Sequence, residues 1–87
     1  MGIDYIVSEV QNSSLPDDIK DKIVGALSND TRLPKILARL SGNEHAHKPE
    51  QQVTEYAMGY LEKLIPQERH TETLQAVHYA AKNFFNQ

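Results

Sequence analysis

Apolar side chains recur three and four residues apart along almost the whole chain, the spacing that lines one face of an α-helix. No segment alternates apolar and polar residues long enough for a strand. Ile3, Ile6, Val7 and Val10 stand at i, i+3, i+4 and i+7 and mark a short first helix, which Asn12, Ser13 and Ser14 break. Ser14 is placed to cap a second helix, with Pro16 in its first turn and Asp17 three residues on, close to a capping box. Ile19, Ile23, Val24 and Leu27 form the inward stripe of that helix, which stops at Ser28, Asn29 and Asp30.

Asp30 or Thr31 is positioned to cap a third helix, in whose first turn Pro34 is tolerated because its missing N–H would be unpaired there anyway. Leu33, Ile36, Leu37 and Leu40 form the stripe, and Ser41-Gly42-Asn43 ends it with glycine where helices commonly terminate. A connection from Glu44 to Lys48 leads to Pro49 and a fourth helix carrying Val53, Tyr56, Ala57, Tyr60, Leu61 and Leu64. Beyond Pro66 a fifth helix carries Leu74, Val77, Ala81, Phe84 and Phe85. The pattern predicts an all-α fold: a small compact bundle of about five helices, three short and two longer, in a single domain over residues 1–87. Brief loops predict that neighbours pack roughly antiparallel. Ile23, Leu37, Leu40, Tyr60, Leu61, Val77 and Phe84 are the expected core.

Composition narrows the class. A chain of 87 residues fits one domain, and at that size only about 60% of the unfolded surface is buried, so the core is small. Apolar residues at 39% and charged residues at 24% are globular rather than disordered proportions. Without cysteine the chain has no disulfide and no thiolate for catalysis or metal binding. No apolar run approaches the roughly 20 residues that span a bilayer, and MGIDYIVSEV lacks a basic leader region. A soluble, cytoplasmic protein is expected.

The net charge of −3 is unevenly spread. Residues 1–30 carry net −4, residues 31–48 net +3, and residues 49–87 net −2. The basic island holds Arg32, Lys35, Arg39 and Lys48. Lys35 and Arg39 lie one turn apart, opposite the third helix's apolar stripe, and Arg32 projects from the same side. No acid lies among these three to form an i,i+4 pair, which leaves them available to phosphates or to an acidic protein surface. The same charges also suit a plain solvated face. A helix-turn-helix built from helices two and three would put the basic helix in a major groove. Against it stand a turn without glycine, Pro34 at the start of a short recognition helix, and a footprint of three or four phosphates.

His45 and His47 are the candidate metal ligands, with His70 and His78 farther along. Two histidines at i, i+2 supply too few donors alone, and no recognised ligand spacing occurs, so no metal or other cofactor is expected. His70 extends the fifth helix's stripe and is expected to be a half-buried packing residue. Catalysis is not expected either. Ser8, Ser13, Ser14, Ser28 and Ser41 fall near helix ends, where capping accounts for most of them. Asp17, Asp18 and Asp21 crowd a helix N-terminus, which favours carboxylates for its dipole. A domain this small also has little volume for a substrate pocket of roughly 300 Å³ or more.

Gly59 falls on the polar side of the fourth helix, where glycine costs about 1 kcal/mol relative to alanine. Tyr79 points away from the fifth stripe and Tyr5 away from the first, and exposed tyrosines are favoured interface anchors. The function expected is a small, non-enzymatic, regulatory protein–protein interaction module of the bacterial inhibitor, immunity, antitoxin or adaptor type. Its partner-binding candidates are Arg32, Lys35, Arg39, Lys48, Gly59 and Tyr79. The expected partner is another protein, for which an acidic surface is one option, or a second copy of the chain, with nucleic acid ranked below these and no membrane expected. A DNA-binding regulator using residues 31–41 is the alternative, and a metal- or ligand-responsive sensor the third.

Overall fold

A computed structural model describes Gly2–Gln87 and contains five α-helices in the expected order. They are α1 (Gly2–Gln11), α2 (Asp17–Ser28), α3 (Leu33–Ser41), α4 (Pro49–Leu64) and α5 (His70–Phe85), with a 3-10 turn at Gln67–Arg69 before α5. No strand occurs among the described residues.

Local chemistry sets the helix ends. The start of α2 lies farther along than Ser14, because a residue preceding proline disfavours helical backbone. Leu15 therefore stays outside the helix and drops into the core, and Pro16 (φ −58°, ψ 149°) opens the helix without a side-chain cap. Asp17 and Asp18 meet the dipole of its first turn. Ser13 instead closes α1, its hydroxyl donating to the Val10 carbonyl at 2.6 Å. Lys20 of α2 reaches back and donates to the Gln11 carbonyl at 2.9 Å, so the end of α1 is tied to the next helix. Asp30, as expected, caps α3: its Oδ1 accepts the backbone N–H groups of Arg32 (2.8 Å) and Leu33 (2.9 Å).

The entry to α4 is strained. Lys48 sits in the left-handed region at φ 47°, ψ 59°, the only non-glycine residue with positive φ among those described. An L-residue there costs roughly 1–2 kcal/mol, part of which glycine avoids while losing some unfolded-state entropy. Lys48→Gly is expected to raise stability by about 1 kcal/mol, or about 4–8 °C in melting temperature for a domain of this size. A melting temperature that stays put or falls would show that the lysine adopts this geometry without cost.

α4 and α5 fold back on each other through Ile65–Arg69 and form the largest interface. α1 lies against α5 and is bracketed by α2 and α3, which also reach α4. The radius of gyration is 12.0 Å, matching the about 12 Å expected of a well-packed domain of this length. At the start of α1, Gly2 lies so close to Phe84 that a Cβ there would stand 2.9 Å from the ring. Nearby, Asn83 donates to Glu9 Oε1 at 2.9 Å, joining α5 to α1 across 74 residues of sequence.

The core follows the stripes of the first three helices: Ile6 and Val10, then Ile19, Ile23 and Leu27, then Leu33, Leu37 and Leu40. In the last two helices the inward face is turned from the expected one. α4 buries Val53, Thr54, Ala57, Met58 and Leu61, while Leu64 is 48% exposed. α5 buries Thr73, Val77, Ala80 and Ala81, while Leu74 is 45% exposed. Small side chains line that face, which allows α5 to approach α4 and α1 closely. Ile65, in the connection, fills the end of the core instead. Tyr60 and Phe84 are half-buried rather than fully buried. Tyr5 is also half-buried, its ring centroid 6.1 Å from that of Phe84. Thr54 donates its hydroxyl to the Glu50 carbonyl at 2.7 Å, whereas the buried Thr73 hydroxyl has no partner.

Candidate functional site

The junction of α2, α3 and α4 forms an open surface pocket of about 370 Å³ lined by Ala26, Asn29, Asp30, Thr31, Arg32, Tyr56 and Tyr60. That volume exceeds what so short a chain was expected to offer. Asp30 is its organising residue. Fixed by two backbone N–H groups of α3, its Oδ1 also accepts the Tyr56 hydroxyl of α4 at 3.1 Å. Tyr56 and Tyr60, one turn apart, meet edge to face with centroids 5.9 Å apart. The Tyr60 hydroxyl is buried without a hydrogen-bond partner. It lies near enough to Asp30 to shift its titration, yet outside bonding geometry with it.

These contacts set the charge state of the pocket. Burial pushes the Asp30 carboxyl up, but the Tyr60 hydroxyl, the Leu33 N–H, the Tyr56 hydroxyl and the Arg32 N–H outweigh it. The net result is a carboxyl below its ordinary value. Burial and the Asp30 charge together push the hydroxyls of Tyr60 and Tyr56 up. The pocket therefore holds one anion beside two neutral phenols at neutral pH. No lysine or arginine makes an ion pair with that anion: the one ion pair among the described residues is Arg69–Glu72, exposed at 3.0 Å.

Arg32, just before α3, and Lys35 and Arg39 on it are all exposed, above the buried Leu33, Leu37 and Leu40. Arg32 alone of the three lines the Asp30 pocket. Lys48 belongs to a different groove at the start of α4, with His47, Gln51, Gln52 and Glu55. Tyr79, 63% exposed, lines a third groove with Ser13, Ser14, Leu15, Glu72, Gln75 and Ala76. Gly59 is exposed on α4 with open space where a Cβ would stand, so packing does not require glycine there. Within the described chain the six candidates thus divide among several surfaces instead of converging on one.

His45 and His47 are exposed on the connection. The backbone N–H of His45 donates to Asn43 Oδ1 at 3.0 Å, and the His47 carbonyl accepts from Gln52 Nε2 at 2.7 Å. No group of three or more His, Cys, Asp or Glu side chains among the described residues is arranged to hold a metal ion. His70 is half-buried as expected, its Nε2 lying 2.8 Å from the Ile65 carbonyl at the turn between α4 and α5. No helix among the described residues is long and apolar enough to cross a membrane. The Asp30–Tyr56–Tyr60 constellation is absent from the sequence-based candidates. A tyrosine pair at i, i+4 inside an apolar stripe was the only signal for it, and that pattern equally describes core.

No family model, curated protein or solved structure matches the chain.

Proposed function

We propose that the protein is a non-enzymatic binding module that recognises another protein through the exposed face of α3. The observation carrying this reading is the set Arg32, Lys35 and Arg39: one cation immediately before α3 and two on it, all exposed and without an ion-pair partner among the described residues. The helix beneath them is fixed by Leu33, Leu37 and Leu40 in the core and by Asp30 at its start, so the charges are presented from a rigid support. Three cations amid an otherwise acidic chain suit electrostatic steering toward an acidic protein surface. They would neutralise few phosphates, too few to hold duplex DNA tightly at physiological salt. α3 also packs chiefly on α1 and α4 rather than on α2, unlike the paired helices of a helix-turn-helix.

The test begins with capture of the partner on the immobilised full chain, followed by association kinetics with the purified partner. Lys35→Glu with Arg39→Glu should leave folding stability within about 0.5 kcal/mol, as exposed substitutions usually do. Association should slow by about tenfold or more at low salt, and its salt dependence should flatten. An unchanged association rate in the folded double variant would reduce this face to solvated charge. Retained binding to duplex DNA at about 150 mM salt, lost in the double variant, would favour a nucleic-acid reading instead.

A further inference from the structure

The pocket beside α3 has the opposite chemistry to the basic face. We propose that it receives a positively charged side chain, the guanidinium or ammonium of an arginine or lysine on the partner protein. Three features of the pocket converge on that class of ligand. Asp30 presents a carboxylate whose hydrogen-bonded neighbours are all uncharged donors, two backbone N–H groups and the Tyr56 hydroxyl, so it is held in place without an ion-pair partner among the described residues. All three donors converge on Oδ1, and Oδ2 accepts no hydrogen bond among the described residues. Two tyrosine rings line the wall beside the carboxylate, and aromatic rings attract cations through their quadrupole. Charge-assisted hydrogen bonds to a carboxylate are the strong ones, and a guanidinium supplies the donors in a fixed fork.

Arg32 at the rim opposes a free cation. On a protein surface that opposition is relieved when an acidic residue stands next to the inserted base and pairs with Arg32. The pocket therefore selects a neighbouring acid–base pair, a basic knob set in an acidic surface. The cation site stands on its own geometry, whereas its source rests on the proposed role as a protein-binding module.

The experiment is an NMR titration of the folded full chain with N-acetyl-arginine methylamide and its neutral isostere, N-acetyl-citrulline methylamide. The ring signals of Tyr56 and Tyr60 and the amides of Arg32 and Leu33 should move with the arginine probe and not with citrulline. Asp30→Asn keeps an equally good helix cap but removes the charge, and should weaken the arginine response by about ten- to hundredfold. Tyr60→Phe, which keeps the ring, should change it little, and Arg32→Gln should strengthen it. Equal responses to both probes, no response to either, or full retention in a folded Asp30→Asn variant would overturn the site. Such a failure leaves the α3 reading intact if Lys35→Glu with Arg39→Glu still slows partner association. A confirmed cation site with unchanged association in that double variant removes the α3 reading instead.

Discussion

Replacing Leu61 with alanine should lower the unfolding free energy by about 2–5 kcal/mol, measured by urea denaturation of the purified chain. Leu61 is fully buried on the face of α4 that meets the rest of the bundle. Truncation there loses the transfer free energy of the side chain and leaves a cavity that the surrounding core fills only in part. In a domain of this size that is a large share of total stability, since proteins hold only about 0.05–0.15 kcal/mol per residue. The exposed Leu64, three residues on, is the control: Leu64→Ala should stay within about 0.5 kcal/mol of the parent. Equal effects at the two sites would mean that the face of α4 is placed wrongly.

Asp30→Ala is the second large effect. It removes the cap of α3, typically worth about 1 kcal/mol, and leaves the Tyr56 hydroxyl without its charged acceptor, worth about 1.5–3 kcal/mol. A total loss of about 2–4 kcal/mol is expected, with less than about 1 kcal/mol for Asp30→Asn, because asparagine caps nearly as well. An Asp30→Ala melting temperature equal to the parent's would show that the link between α3 and α4 contributes nothing in solution. The titration shifts give a second readout. Because the folded-state carboxyl is below its ordinary value, its stabilisation is present above the unfolded value of about 3.9. It is lost as the pH falls through the folded value. The tyrosines run the other way. Their hydroxyls are raised, so their stabilisation is present below the ordinary value of about 10 and fades as the pH climbs toward the folded values. In Asp30→Asn the acid limb should flatten, and tyrosinate absorbance should appear at lower pH than in the parent.

Sequence pattern and structure agree most closely where large aliphatic residues carry the period. Ile19, Ile23 and Leu27, or Leu33, Leu37 and Leu40, leave little choice of inward face, and all six are buried. In α5 the largest apolar residue of the first turns, Leu74, suggested one face, but the buried face is set by Thr73, Val77, Ala80 and Ala81. Alanine and threonine give little apolar signal, yet their small size lets helices approach closely, a property of the pair and not of either sequence. Leu15 and Ile65 plug the core from loops, where no period exists to reveal them. The exposed cations Arg32, Lys35 and Arg39 were legible because no acid lies between the first and the last of them in sequence. The Asp30–Tyr56 bond was not, because it joins residues 26 apart. Only tertiary packing sets their meeting.

Gly2 against Phe84, and Glu9 against Asn83, place the opening and closing helices side by side. During synthesis, therefore, α1 leaves the ribosome long before the helix that covers it exists. Until α5 follows, α1 lacks one of its three packing partners, while α2 and α3 can already pack on the rest of it. The contacts of α1 with α5 therefore form only after the chain between them has closed into a long loop, and proteolytic removal of α5 should uncover the side of α1 that packs against it.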